Sequence, residues 1–123
     1  SQFMNRAFNN QDILLKSKGN QRYSFIYVAD AVSGLLKILL EGKSGEAYNL
    51  SAEEDGKTLY DYAFFIASRA GKQVVIDCVG EEGSSKASYA ILDCNKLKSI
   101  GWNPRFTVLE GIERTMKIFS ERK

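Results

Sequence analysis

Four side chains in this sequence have chemistry suited to a ligand: Arg22, Tyr23, Lys86 and Tyr89. A guanidinium grips phosphate as a planar fork, and an ammonium does so as a point charge. A phenol stacks on a base or donates a hydrogen bond. Arg22 and Tyr23 open the run "QRYSFIYVADAV" (21–32), and Lys86 and Tyr89 flank the end of a polar loop, "GEEGSSKAS" (80–88). Catalytic groups are scarcer. Histidine is absent, which removes Ser–His and Cys–His nucleophile pairs and the commonest zinc ligand. Asp30, Asp61 and Asp93 could in principle do acid–base work, but each stands where a helix begins and where a carboxylate satisfies unpaired amides.

Phosphate cradles of the glycine-rich kind are missing, since neither GxGxxG nor GxxxxGK[ST] occurs. "GKSGEAY" (42–48) lacks a strand-loop-helix setting and reads as a turn. Cys78 ends an apolar strand and reads as a small buried hydrophobe. Cys94 lies at a helix start, where a thiolate could be stabilised, but no base neighbours it in sequence. Two thiols without CxxC spacing point to a reducing cytoplasm and to no metal.

The elements that must position these residues follow from periodicity. The 123 residues suit one domain, and 44% hydrophobic with 26% charged residues is the balance of a globular chain. The net charge of +2 comes from intermixed signs, so no nucleic-acid footprint or membrane-surface patch is expected. No apolar run approaches a membrane span. The opening "SQFMNRAFNN" is amphipathic from its first residues and reads as a cut within a longer protein, a fragment.

A short helix is expected over 3–8, then strands over "ILLKS" (13–17) and "YSFIYV" (23–28), which could pair across the turn "KGN". A helix follows from Asp30, with Val32, Leu35, Leu36, Leu39 and Leu40 spaced as one buried face and Gly42 at its end. "EAYNLS" (46–51) reads as a strand. Thr58 and Asp61 form a capping box for a helix lined by Leu59, Tyr62, Ala63, Ile66, Ala67 and Ala70. "QVVIDCV" (73–79) is a strand and "YAILD" (89–93) a brief extended piece. Asp93 caps a short helix, Trp102 plugs the junction to the last helix, and Thr107 with Glu110 caps that one. The alternation predicts a small mixed α/β domain with short strands and four to five helices.

Taken in order, "F-I-Y-V-x-D-A-V", "G-E-A-Y-N-L", "L-D-x-x-K-L…G-W-x-P" and "EGIERT" resemble the C-terminal half of the NAD-dependent sugar epimerase/dehydratases, the extended short-chain dehydrogenase/reductases. The resemblance runs from Phe3 to about Phe119. It implies a substrate-binding portion that holds the nucleotide diphosphate of a nucleotide-sugar. The glycine-rich NAD loop and Tyr-x-x-x-Lys pair belong to an N-terminal Rossmann half, so no cofactor is expected on this chain and NAD is expected for the full-length enzyme. Alone, the chain is expected to be inactive. The family places an arginine two positions before the aromatic of "F-x-Y-V". That slot holds Tyr23, with Arg22 one place earlier, and a strand points them to opposite sides unless a bulge intervenes. Lys86 is the nearest cation to a second basic position, with Tyr89 beside it. The nucleobase is expected against 13–16, which adds Leu14. The competing reading is a non-catalytic ligand- or protein-binding module that keeps the fold. A purely structural domain is disfavoured because the periodicity leaves no apolar stripe exposed.

Overall fold

The computed structural model describes residues 2–52, 57–77 and 89–122. Helix α1 (Gln2–Phe8) buries Met4 and Ala7 and stops where Asn10 adopts a left-handed backbone, φ 59°. Strand β1 (Ile13–Leu15) then turns Ile13 and Leu15 into the core. Strand β2 is only Arg22–Tyr23, and helix α2 runs Val28–Glu41. Helix α3 (Leu59–Ala70) leads to strand β3 (Val74–Ile76), and after strand β4 (Tyr89–Ala90) come α4 (Asn95–Ser99) and α5 (Val108–Ser120). The result is the mixed α/β architecture expected, with five helices and short strands among the described residues.

The strand pairing differs from expectation. β1 and β2 do not pair with each other: β1 lies parallel to β3 (Ile13↔Val74 to Leu15↔Ile76), and β2 lies parallel to β4 (Arg22↔Tyr89, Tyr23↔Ala90). The turn between them has another task. Carbonyls of Gly19 and Gln21 accept the Tyr60 and Leu59 amides at 3.0 and 2.8 Å, satisfying the first turn of α3 instead of closing a hairpin. Gly19 has φ +75°, and a Cβ there would sit 2.8 Å from the Tyr60 Cβ, so both the turn and the close approach require glycine. The expected strand over 23–28 shrinks for a related reason, since α2 begins already at Val28.

The capping boxes form as read. Thr58 accepts from the Asp61 amide and donates its own amide to the Asp61 carboxylate, and Thr107 does the same with Glu110. Gly71 ends α3 in the left-handed conformation. Gly42, in contrast, ends α2 with extended backbone, φ −68°, and its need for glycine is the close approach of the Ile38 carbonyl. Met4, Ala7, Ile13, Leu15, Ala63, Ile66 and Ala67 make the principal core, where α1, α3 and the β1–β3 ladder meet.

Helix α2 departs most from expectation. Val32, Leu35, Leu36, Leu39 and Leu40 are 50–79% exposed, so the apolar stripe is not the buried face. The helix packs through its other side, where Asp30 and Gly34 are buried. A methyl at Gly34 would overlap Leu50 and touch Trp102, which fixes how closely the chain approaches. Trp102 accordingly docks on α2, its indole N–H donating to the Ser33 hydroxyl at 3.0 Å.

Asp30 also takes a different role. The residue before α2 is Tyr27, which makes no side-chain cap. Asp30 is 1% exposed, and its two carboxylate oxygens accept the amides of Arg105 and Phe106 at 2.9 and 3.0 Å. It therefore braces the chain entering α5, not the start of its own helix. Asp93 does serve its helix, accepting the Asn95 amide at 2.8 Å. Residues 46–51, expected as a strand, join no ladder among the described residues.

Candidate functional site

The short β2–β4 ladder brings together three of the candidates. Register partners in a parallel ladder share a face, so Arg22 and Tyr89 project from one side, and Tyr23 and Ala90 from the other. Arg22 is half-buried, Tyr23 is at the threshold of exposure, and Tyr89 is freely exposed. The guanidinium has no carboxylate partner among the described residues. A phenol beside an unneutralised planar cation offers a fork for an oxyanion and a flat surface for a ring.

Ser24 is the residue that sequence reading passed over. Its amide donates to the Ala90 carbonyl at 3.1 Å, and its hydroxyl accepts the Leu92 amide at 2.7 Å. Those two bonds extend a two-residue ladder and fix the Arg22–Tyr89 register. Its only sequence signal was one hydroxyl in an aromatic run, too weak to single out.

Leu14 is not brought to this face by any strand pairing. It belongs to the other ladder, opposite Val75, and turns away from the core that takes Ile13 and Leu15. Lys86 lies outside the described residues, as does Cys78. Cys94 is fully buried with its sulfur 3.2 Å from the Ser51 hydroxyl, an enclosed thiol rather than an accessible nucleophile. Among the described residues no group of three or more His, Cys, Asp or Glu could hold a metal ion.

A cavity of about 580 Å³ opens beyond β2, between α1, α3 and α5. Phe25, Tyr27, Val28, Tyr62 and Ile112 are among its walls, and no charged residue lines it. That lining offers no charged side chain to a phosphate. No helix among the described residues is long and apolar enough to cross a membrane.

The first part of the chain, residues 1–51, matches the model of the NAD dependent epimerase/dehydratase family. The low-salt glycan biosynthesis protein Agl12 of Haloferax volcanii is 29% identical over 111 residues, covering 90% of this chain and 36% of that protein. The dTDP-D-glucose 4,6-dehydratase of Mus musculus is 27% identical, covering 94% and 34%. The chain is similar to members of the NAD-dependent epimerase/dehydratase family. The fold agrees: a UDP-glucose 4-epimerase of Thermotoga maritima, solved with UDP-glucose, superposes with a TM-score of 0.77 at 22% identity, over 98% of this chain and 38% of that one. The chain spans about a third of the length of the curated relatives it matches.

The family's name implies NAD, and the residues described here do not fit its pyrophosphate. Such a cradle needs a glycine-rich turn opening a helix. The residues preceding α2, α3, α4 and α5 are Tyr27, Thr58, Cys94 and Thr107, none in a glycine-rich turn.

Proposed function

We propose that this chain is the substrate-binding portion of an NAD-dependent nucleotide-sugar epimerase/dehydratase. The observation that carries the reading is the Arg22–Tyr89 pairing, which sets a guanidinium with no carboxylate partner among the described residues and a phenol on one face of a ladder. In this role Arg22 holds the diphosphate, and Tyr89 lies along the ligand. Tyr23, which occupies the family's usual arginine position, points to the opposite face and is replaced by its neighbour. Lys86 adds a second cation to the diphosphate, and Leu14 lies against the nucleobase.

Hydride transfer to and from NAD belongs to a Rossmann half. None of the six tyrosines of this chain is followed four residues on by lysine, so the chain offers no Tyr-x-x-x-Lys pair of its own. Its contribution is affinity and orientation, with contacts remote from the reacting carbon holding that carbon in place. Such a soluble nucleotide-sugar enzyme would work in the cytoplasm.

Calorimetric titration of UDP-glucose and dTDP-glucose into the protein carrying both halves tests this. Loss of a charge-assisted hydrogen bond costs about 1.5–3 kcal/mol, so Arg22→Ala should weaken binding roughly 10- to 100-fold. Tyr23→Phe should bind as the parent does. Equal affinity for the parent and Arg22→Ala would overturn the site.

A further inference from the structure

The β2–β4 ladder is two residues long on each strand, and its register decides which side chains share a face. A slip of one residue would bring Tyr23, not Arg22, to the side of Tyr89. No tight turn sets that register, because α2, α3 and β3 lie between the two strands in sequence. The ends of the ladder have to set it. Ser24 makes two bonds there, on alternate residues of the facing strand: its amide donates to the Ala90 carbonyl at 3.1 Å, and its hydroxyl accepts the Leu92 amide at 2.7 Å. In a continuing parallel ladder the main-chain carbonyl of Ser24 would take the Leu92 amide. Here the hydroxyl takes it, so the ladder gains another rung while the main chain departs toward α2. Alternate residues of a strand aim their main-chain groups to the same side. Ala90 and Leu92 aim theirs at β2, and Tyr89 and Ile91 aim theirs away, so a one-residue slip would cost Ser24 both bonds. The neighbouring grip on this segment, from the Asn49 side-chain amide to the Asp93 carbonyl at 3.0 Å, ties it to a different stretch of chain.

We infer that Ser24 is a positioning residue of the ligand site: it selects Arg22 over Tyr23 as the side chain that meets the ligand beside Tyr89. The identity of that ligand, a nucleotide-sugar, rests on the proposed function. A planar guanidinium binds an oxyanion through a fork of fixed direction, so a shift of the strand that carries it is felt in affinity. Ser24 acts on binding through that direction and touches no ligand atom itself. The side chain required is narrow. Alanine keeps the amide bond to Ala90 and leaves Leu92 without its acceptor. Threonine keeps the hydroxyl and adds a branch that suits an extended backbone.

Two measurements on the protein carrying both halves test this, and one of them does not read sugar binding. Nuclear Overhauser contacts between the Arg22 and Tyr89 side chains report the register. They should be present in the parent and in Ser24→Thr, and lost in Ser24→Ala while the amides of α3 keep their slow exchange. Contacts that persist in Ser24→Ala would overturn the role of Ser24. Their loss in Asn49→Ala would do the same, because the register would then belong to the whole segment. Calorimetric titration of UDP-glucose and dTDP-glucose reads the consequence. Ser24→Ala should weaken binding about 3- to 10-fold, the range for one neutral hydrogen bond, and Ser24→Thr should stay within about twofold of the parent. On an Arg22→Ala background, Ser24→Ala should cost less than about twofold more, since its effect runs through the guanidinium. Losses that simply add would put Ser24 itself on the ligand and overturn the positioning role. If Arg22→Ala binds as the parent does, the proposed site falls, while the Overhauser contacts still show whether Ser24 chooses between Arg22 and Tyr23.

Discussion

Helices α2 and α3 are both amphipathic, and the structure treats them in opposite ways. In α3 the apolar residues Tyr62, Ala63, Ile66 and Ala67 are at most 4% exposed, the last three packed against α1 and β1 and Tyr62 against Ala52 and Val108. In α2 the apolar stripe faces outward, and a buried aspartate and a glycine form the contact with the domain. Hydrophobic periodicity reveals that a helix has a face and which residues form it. It does not reveal what lies against that face. For α3 the covering elements are in this chain. For α2 the obvious face is left over, and contact with the rest of the domain runs through Gly34, Leu50 and Trp102, residues no amphipathic pattern would select.

The contrast can be broken most directly by truncation. Ile66→Ala in α3 removes buried methylenes and should destabilise the chain by about 2–5 kcal/mol. Leu39→Ala in α2 should fall within about 0.5 kcal/mol, because the side chain is already in water. Denaturant unfolding of both variants measures the difference. Comparable losses would show that the α2 stripe is buried in solution after all.

Asp30 supplies the next largest effect. Replacing it by alanine leaves the Arg105 and Phe106 amides without their acceptor, at roughly 1–3 kcal/mol for each buried group left unpaired. Asp30→Asn keeps one acceptor oxygen and should lose less. Both variants should loosen the entry to α5 and speed exchange at 105 and 106 while leaving α3 protected. If α3 lost protection equally, the two helices would belong to one cooperative unit, and the contrast between them would weaken.

A smaller effect tests the local half of the comparison. Thr58→Ala deletes one arm of the capping box of α3 and should cost about 1 kcal/mol. This part of the fold was legible because its cause is local: Thr58 and Asp61 are three residues apart, and the donors they satisfy belong to the same turn. The same holds for Thr107 with Glu110 and for Gly71. Asp30 was legible only as an acid at a helix start, since its acceptors serve amides 75 and 76 residues away. Strand pairing was hidden for the same reason. β1 and β2 are near in sequence, yet each finds its partner beyond α3. In the candidate site, residue type marked Arg22, Tyr23 and Tyr89. Only the β2–β4 register shows that Arg22 shares its face with Tyr89, and no spacing in the sequence encodes Ser24 as the fastener of that register.

The smallest predicted effect concerns the turn that carries α2 into residues 47–50. Glu46 pairs with Lys96 of α4, whose ammonium also lies over the Tyr48 ring at 4.9 Å. The hydrogen bond from Lys96, and then its charge, hold the Glu46 carboxyl below the usual carboxylate range. A carboxyl depressed in the folded state binds fewer protons there than in the unfolded chain. Its stabilising contribution is therefore present above the ordinary carboxylate pKa and lost as pH falls through the folded value. The pair is exposed, so screening keeps the contribution small, and added salt should erase it. Lys96→Ala should return the Glu46 titration, followed by NMR, to the usual range without altering the global unfolding midpoint. A titration that stayed depressed would place the cause elsewhere, in the backbone of the turn itself. Residues 47–50 would then be held in place by their own chain rather than clasped to α4.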